Sequence, residues 1–80
     1  MHYVYLIESL SVPGERYVGV TGNLKLRLAQ HNEGESPYTS QSTPCRLVTY
    51  VAFSNHQKAS EFEVYLKSGS GHAFARKHLW

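Results

Sequence analysis

The chain has 80 residues, 41% of them apolar and 18% charged, with a net charge of +2. That length holds one hydrophobic core, so a single domain over 1–80 is expected, and the lone cysteine, Cys45, excludes a disulfide framework or a cysteine-based zinc site. No apolar run approaches the roughly 20 residues of a membrane span, and "MHYVYLIESL" carries no basic n-region or cleavage site, which points to a cytoplasmic protein with no membrane partner. In chain order, "HYVYLIES" (2–9) reads as a strand, "VPGE" (12–15) as a turn and "RYVGV" (16–20) as a second strand, together an antiparallel hairpin. Asn23 is a good N-cap for a helix to about Asn32, with Gly34 as its stop and a polar loop over 33–45. "RLVTYVAF" (46–53) is the third strand. "SNHQ" (54–57) reads as a capping box, with Ser54 at the cap and Gln57 three residues on, opening a helix to about Lys67. "SGSG" (68–71) ends that helix and starts another over 72–78. The fold class is α/β (α+β): a three-stranded, mainly antiparallel sheet flanked by helices in the order β-β-α-β-α-α.

The helices place polar residues where apolar ones belong. On the first, Leu28, His31 and Arg27 all fall within about 60° of Leu24, while Lys25, Leu26 and Gln30 lie well away. On the second, Phe62, Glu63 and Leu66 fall within about 60° of Ala59, with Glu61 on the solvent side. A carboxylate or guanidinium on an inward face must be paired, bound to a metal or set at a cleft edge. A buried Arg27–Glu63 salt bridge is one reading of these residues. A site where the sheet and both helices meet is the other. Tyr3 and Tyr5 share one face of the first strand, and Tyr17 and Gly19 share one face of the second. Tyrosines, an arginine, a histidine and a glutamate converging at one end of the sheet form a plausible set for phosphodiester cleavage. In it Glu63 would meet a divalent metal, Arg27 the phosphate, and tyrosine or histidine would handle protons.

With "VYL" (Val4-Tyr5-Leu6) and "YVG" (Tyr17-Val18-Gly19) on adjacent hairpin strands, Arg27 and His31 in "LRLAQHN", and Glu63 in "KASEFEVYLK", the chain resembles the GIY-YIG nuclease superfamily. It is closest to the small stand-alone bacterial members, and similar to the nuclease domain of the excision-repair protein UvrC. Val4 stands where the family name has glycine, and no asparagine follows Glu63 to support the site as in many relatives. Ser68, Ser70, His72 and His78 are the candidates for that role. The resemblance implies hydrolysis of DNA with a single Mg²⁺ or Mn²⁺ at Glu63, Arg27 stabilising charge on the scissile phosphate, and Tyr17 or Tyr5 activating water with help from His31. Which of them is the base stays open.

Charge is unevenly spread: residues 1–63 hold five Lys/Arg against six Glu, whereas 64–80 hold Lys67, Arg76 and Lys77 with no acid. No appended DNA-recognition domain is visible, so specificity is expected from the loop 33–45 and the tail 67–80. In that tail Lys67, Ser70, His72, Arg76 and Lys77 are candidate phosphate contacts, through Gly-Ser-Gly amides at a helix start and a cationic track. A plain helical connection with Phe74 and Leu79 packing inward is the competing reading. Tyr38 and Trp80, if exposed, would stack unpaired bases, favouring single-stranded or branched DNA over long specific duplex sites. A catalytically silent nucleic-acid-binding module with the same fold is the alternative function. The five histidines lack ligand spacing, no local partner marks Cys45 as a nucleophile, and no protein partner is evident.

Overall fold

The computed structural model describes residues 1–33 and 44–80. Strands β1 (His2–Ser9), β2 (Arg16–Thr21) and β3 (Cys45–Phe53) form one antiparallel sheet in the order β2-β1-β3. Helices α1 (Leu24–Asn32), α2 (His56–Leu66) and α3 (Gly69–His78) complete it. The expected strand-and-helix order is therefore what the chain forms, and β1, the most deeply buried strand, takes the centre.

Alternation along β1 divides the core between two faces. Val4 and Leu6, both fully buried, pack with Ala59, Leu66 and Ala75 from α2 and α3. Tyr5 and Ile7 point the other way, towards Cys45 and the α1 residues Leu24 and Leu28. The sheet is thus covered by α1 on one side and by α2 and α3 on the other. A register shift in β3 opposite Leu6 and Ile7 leaves Val48 as the extra residue. It lets a sheet buried on both faces follow its twist. Across the three strands Arg16, Glu8 and Arg46 stand side by side in register, and Glu8 accepts ion pairs from both arginines.

Local signals fix the helix ends, with two adjustments. Asn23 caps α1 as expected, its side chain accepting from the Leu26 N–H at 3.0 Å. At α2 the cap is Asn55 rather than Ser54: Asn55 accepts from the Lys58 N–H at 3.0 Å, and Gln57 donates instead to Glu61. Either residue can cap a helix, and a one-residue shift keeps Ala59 and Leu66 on the buried side. Helix α3 starts at Gly69, three residues earlier than expected, because Ser68 serves as its cap and accepts from the Gly71 N–H. The Gly34 stop and most of the 33–45 loop fall outside the described residues. Among the described residues no helix is long and apolar enough to cross a membrane.

Candidate functional site

A groove of about 1040 Å³ runs along the outer strand β2 and draws its lining from both faces of the sheet. Tyr5, Tyr17, Gly19, Arg27 and His31 come from the α1 side, and Glu63, Lys67, His72 and Arg76 from α2 and α3. Leu66, Ala75 and Trp80 supply apolar floor between them. The five candidate catalytic residues therefore open onto one space, although Glu63 sits across the sheet from the others.

On the α1 side the polar groups are tied together. The Tyr5 side chain is 5% exposed and His31 is 4% exposed, and Tyr5 Oη lies 2.9 Å from His31 Nε2. Arg27 Nε donates to the same oxygen at 3.3 Å, and Arg27 Nη1 donates to Gln30 Oε1. Arginine only donates, so the phenol oxygen accepts there, and a buried hydroxyl needs an acceptor for its one proton. His31 Nε2 is that acceptor when the imidazole is neutral with its proton on Nδ1. Burial, and next the charge of Arg27, hold the His31 pKa below its usual value, which favours the neutral ring. In that tautomer the three residues make a directed chain from guanidinium to phenol to imidazole.

Gly19 makes this geometry possible. It pairs with Tyr5 across the hairpin, and a Cβ at Gly19 would stand 2.3 Å from Tyr5 Oη and 2.5 Å from Cζ. Only glycine leaves room for the phenol to lie across β2 towards the groove. Tyr17, two residues earlier on the same face, donates to Glu15 Oε2 at 3.3 Å, close to solvent.

On the far wall Glu63 pairs with Lys67, one helical turn later. The Glu63 side chain is 17% exposed and that of Lys67 56%. The Arg27–Glu63 bridge left open by the sequence is not formed, since Arg27 bonds Tyr5 and Gln30 while Glu63 takes Lys67. Among the described residues no group of three or more His, Cys, Asp or Glu side chains is placed to hold a metal. One half-buried carboxylate facing an open groove does suit Mg²⁺ or Mn²⁺, which keep several waters and take the rest of their ligands from substrate phosphate. It does not suit a closed zinc site.

The candidate phosphate contacts divide. Lys67, His72 and Arg76 line the groove, whereas Ser70 and Lys77 are exposed outside its lining. Of the four residues considered in place of the relatives' asparagine, His72 is the one in the groove. Within the Gly-Ser-Gly stretch the Gly71 amide is closed to a phosphate: its N–H is taken by Ser68, and Gly71 is buried against the Tyr65 carbonyl. Its glycine serves the close approach of α3 to α2. Trp80, expected as an exposed stacking platform, is instead half-buried against the core with the Arg16 guanidinium 4.9 Å above its ring centroid. Tyr38 lies outside the described residues. Phe74 faces partly outward, in ring contact with Phe62, Tyr65 and His78.

The sequence reading does not single out Glu15, Arg16 or Gln30. Glu15 is visible in principle, standing two residues before Tyr17 on an edge strand. The Arg16–Trp80 contact has no sequence signal, because it joins residues 64 positions apart.

The profile of the GIY-YIG catalytic domain matches residues 1–76, nearly the whole chain, and this protein belongs to that nuclease-type family. Among curated relatives, a UPF0213 protein of Lacticaseibacillus paracasei is 35% identical over 72 residues, covering 89% of this chain and 79% of the relative. One from Clostridium perfringens is 38% identical over 72 residues, covering 84% and 71%. One from Halobacterium salinarum is 35% identical over 68 residues, covering 84% and 86%. No solved structure matches the chain.

Proposed function

We propose that this protein is a divalent-metal-dependent DNA endonuclease that hydrolyses phosphodiester bonds in the β2 groove, with single-stranded, branched or otherwise distorted DNA as its substrate. The observation that carries the proposal is the groove itself, which joins the Tyr5–Arg27–His31 chain on one wall to an inward carboxylate and a row of cations on the other. Glu63 is the residue that would hold Mg²⁺ or Mn²⁺, whose charge eases departure of the 3′ oxygen. Arg27 has N–H groups to direct at a phosphate once substrate lies against Tyr5, and charge-assisted donors of this kind stabilise the extra negative charge of the transition state. The attacking water loses a proton to Tyr5, and the phenol proton has His31 as its acceptor. Tyr17, tied to Glu15 at the rim, stands beside this pair. Lys67, His72 and Arg76 carry the flanking backbone phosphates. The groove has an apolar floor between its polar walls, which suits a short, unpaired stretch of chain better than an extended duplex.

The test is cleavage of labelled single-stranded, duplex and branched DNA with Mg²⁺ or Mn²⁺, comparing the wild type with Glu63→Ala and Arg27→Ala. Metal-dependent cutting lost in both folded variants is expected. Cutting that persists in EDTA or in Glu63→Ala would sink the mechanism. Binding without cutting on every substrate would establish a silent nucleic-acid-binding module instead.

A further inference from the structure

Lys67 occupies a position that nucleic-acid binding alone does not explain. It is the C-cap residue of α2, immediately before the Ser68 cap of α3, so its backbone is fixed at the elbow between two helices. Its ammonium turns back onto Glu63 rather than out into the groove. The Glu63 carboxylate is mostly withdrawn from water, and a withdrawn carboxylate requires a counter-charge. Among the described groove-lining residues the only other carboxylate is Glu15, which is engaged by Tyr17. Lys67 therefore neutralises the carboxylate on the α2 wall that would hold a divalent ion, and two cations on one carboxylate repel.

The geometry points to Lys67 as an exchangeable internal counter-ion that competes with the divalent metal for Glu63 and gives way when a phosphodiester enters the groove. This rests on the nuclease reading above and adds a control to the same site. The lysine stem is long, flexible and more than half exposed, so the ammonium can leave Glu63 without any backbone change. A phosphate seated among Lys67, His72 and Arg76 offers it an alternative anion. Loss of the lysine from Glu63 then opens the carboxylate, so metal and substrate load together. By linkage, substrate tightens metal binding and metal tightens substrate binding by the same factor.

The readout is Mn²⁺ affinity, measured by calorimetry and by the electron-paramagnetic-resonance signal of free Mn²⁺, independently of turnover. Without nucleic acid, Lys67→Met is expected to bind Mn²⁺ about tenfold more tightly than the wild type, from removal of a competing unit charge a few ångströms away. Lys67→Arg, which keeps the charge, should stay near the wild-type value, and Glu63→Gln should bind little. Adding a cleavage-resistant phosphorothioate single strand should tighten Mn²⁺ binding to the wild type more than to Lys67→Met. Equal or weaker affinity in Lys67→Met, with Glu63-dependent Mn²⁺ binding intact, overturns the counter-ion role and leaves the nuclease reading standing. No Mn²⁺ binding by either protein overturns the metal-dependent reading itself, and this inference falls with it.

Discussion

Gly19→Ala is the sharpest probe of how the fold builds the groove. The added methyl would sit 2.3 Å from Tyr5 Oη, 2.5 Å from Cζ and 3.0 Å from Cε1, well inside van der Waals contact. None of these atoms is backbone, so the strand survives and the phenol ring moves. Moving it separates Tyr5 from His31 and Arg27. Overpacking in a filled site costs about 1–3 kcal/mol, and stranding the buried His31 acceptor about 1–3 kcal/mol more. Alanine recovers about 0.4–1 kcal/mol by restricting the unfolded chain, and an exposed groove relieves part of the clash. A net loss of about 2 kcal/mol is expected, lowering Tm by roughly 8–16 °C in a domain of this size. The assay is a pair of thermal melts, in the wild-type background and with Tyr5→Leu, whose shorter side chain leaves the position free. There Gly19→Ala should be neutral or slightly stabilising, giving a coupling energy of about 2 kcal/mol. If Gly19→Ala costs as much in the Tyr5→Leu background as in the wild type, the glycine serves the strand backbone and the argument for the phenol's placement fails.

Three further outcomes are expected. In Gly71→Ala the new Cβ would lie 1.7 Å from the Tyr65 carbonyl oxygen, a backbone atom that cannot swing aside, so melts should show a loss of about 3 kcal/mol or more as α3 is pushed off α2. His31 has its pKa lowered on folding, so below its usual value of about 6.5 the unfolded chain binds more protons and stability falls with pH. Urea midpoints between pH 7.5 and 5 should decline more steeply in the wild type than in His31→Asn. Burial raises the Cys45 thiol pKa, so a thiol reagent at pH 7–8 should label it only at the rate of unfolding, and rapid labelling of the native protein would contradict its packing.

How much of this is legible from sequence follows from the range of each interaction. Helical arcs are local and periodic, so Arg27, His31 and Glu63 are identifiable as inward polar residues before any coordinates, and the structure holds all three against the groove. Strand alternation likewise puts Tyr17 and Gly19 on one face. What alternation does not give is register. Opposing Tyr5 to Gly19 depends on the length of the Leu10–Glu15 connection, which turns through Gly14 with φ of 86° and is closed by Ser9 accepting the Ser11 and Val12 N–H groups. Only with that register does the glycine read as space for a phenol. The α3 start departs from expectation for a similar reason. Glycines argue against helix, and at Gly71 the close approach of Tyr65 outweighs that propensity. The pairing of Glu63 with Lys67 is visible as an i,i+4 spacing, yet the shared inward arcs favour Arg27 as the partner when helix positions alone are considered.

The two walls of the groove are held by different parts of the molecule, and this bears on how the site tolerates change. Tyr5, Arg27 and His31 are fastened to one another and to the α1 side of the sheet, with Asn32 pinning the end of α1 to β3 through the Cys45 N–H at 2.7 Å. Glu63, Lys67, His72 and Arg76 ride on α2 and α3, whose elbow is set by Ser68 and Gly71. The edge strand β2 runs between the two walls, and behind it β1 turns Val4 and Leu6 towards one side and Tyr5 towards the other. Substitutions on opposite walls share no direct partner, so their effects on stability should add. On the proposed mechanism their effects on turnover should not, because a phosphate held there would meet both walls at once. A substitution of Lys67 on the α2–α3 wall therefore leaves the Tyr5–Arg27–His31 hydrogen bonds undisturbed, so its effect on Glu63 can be read separately.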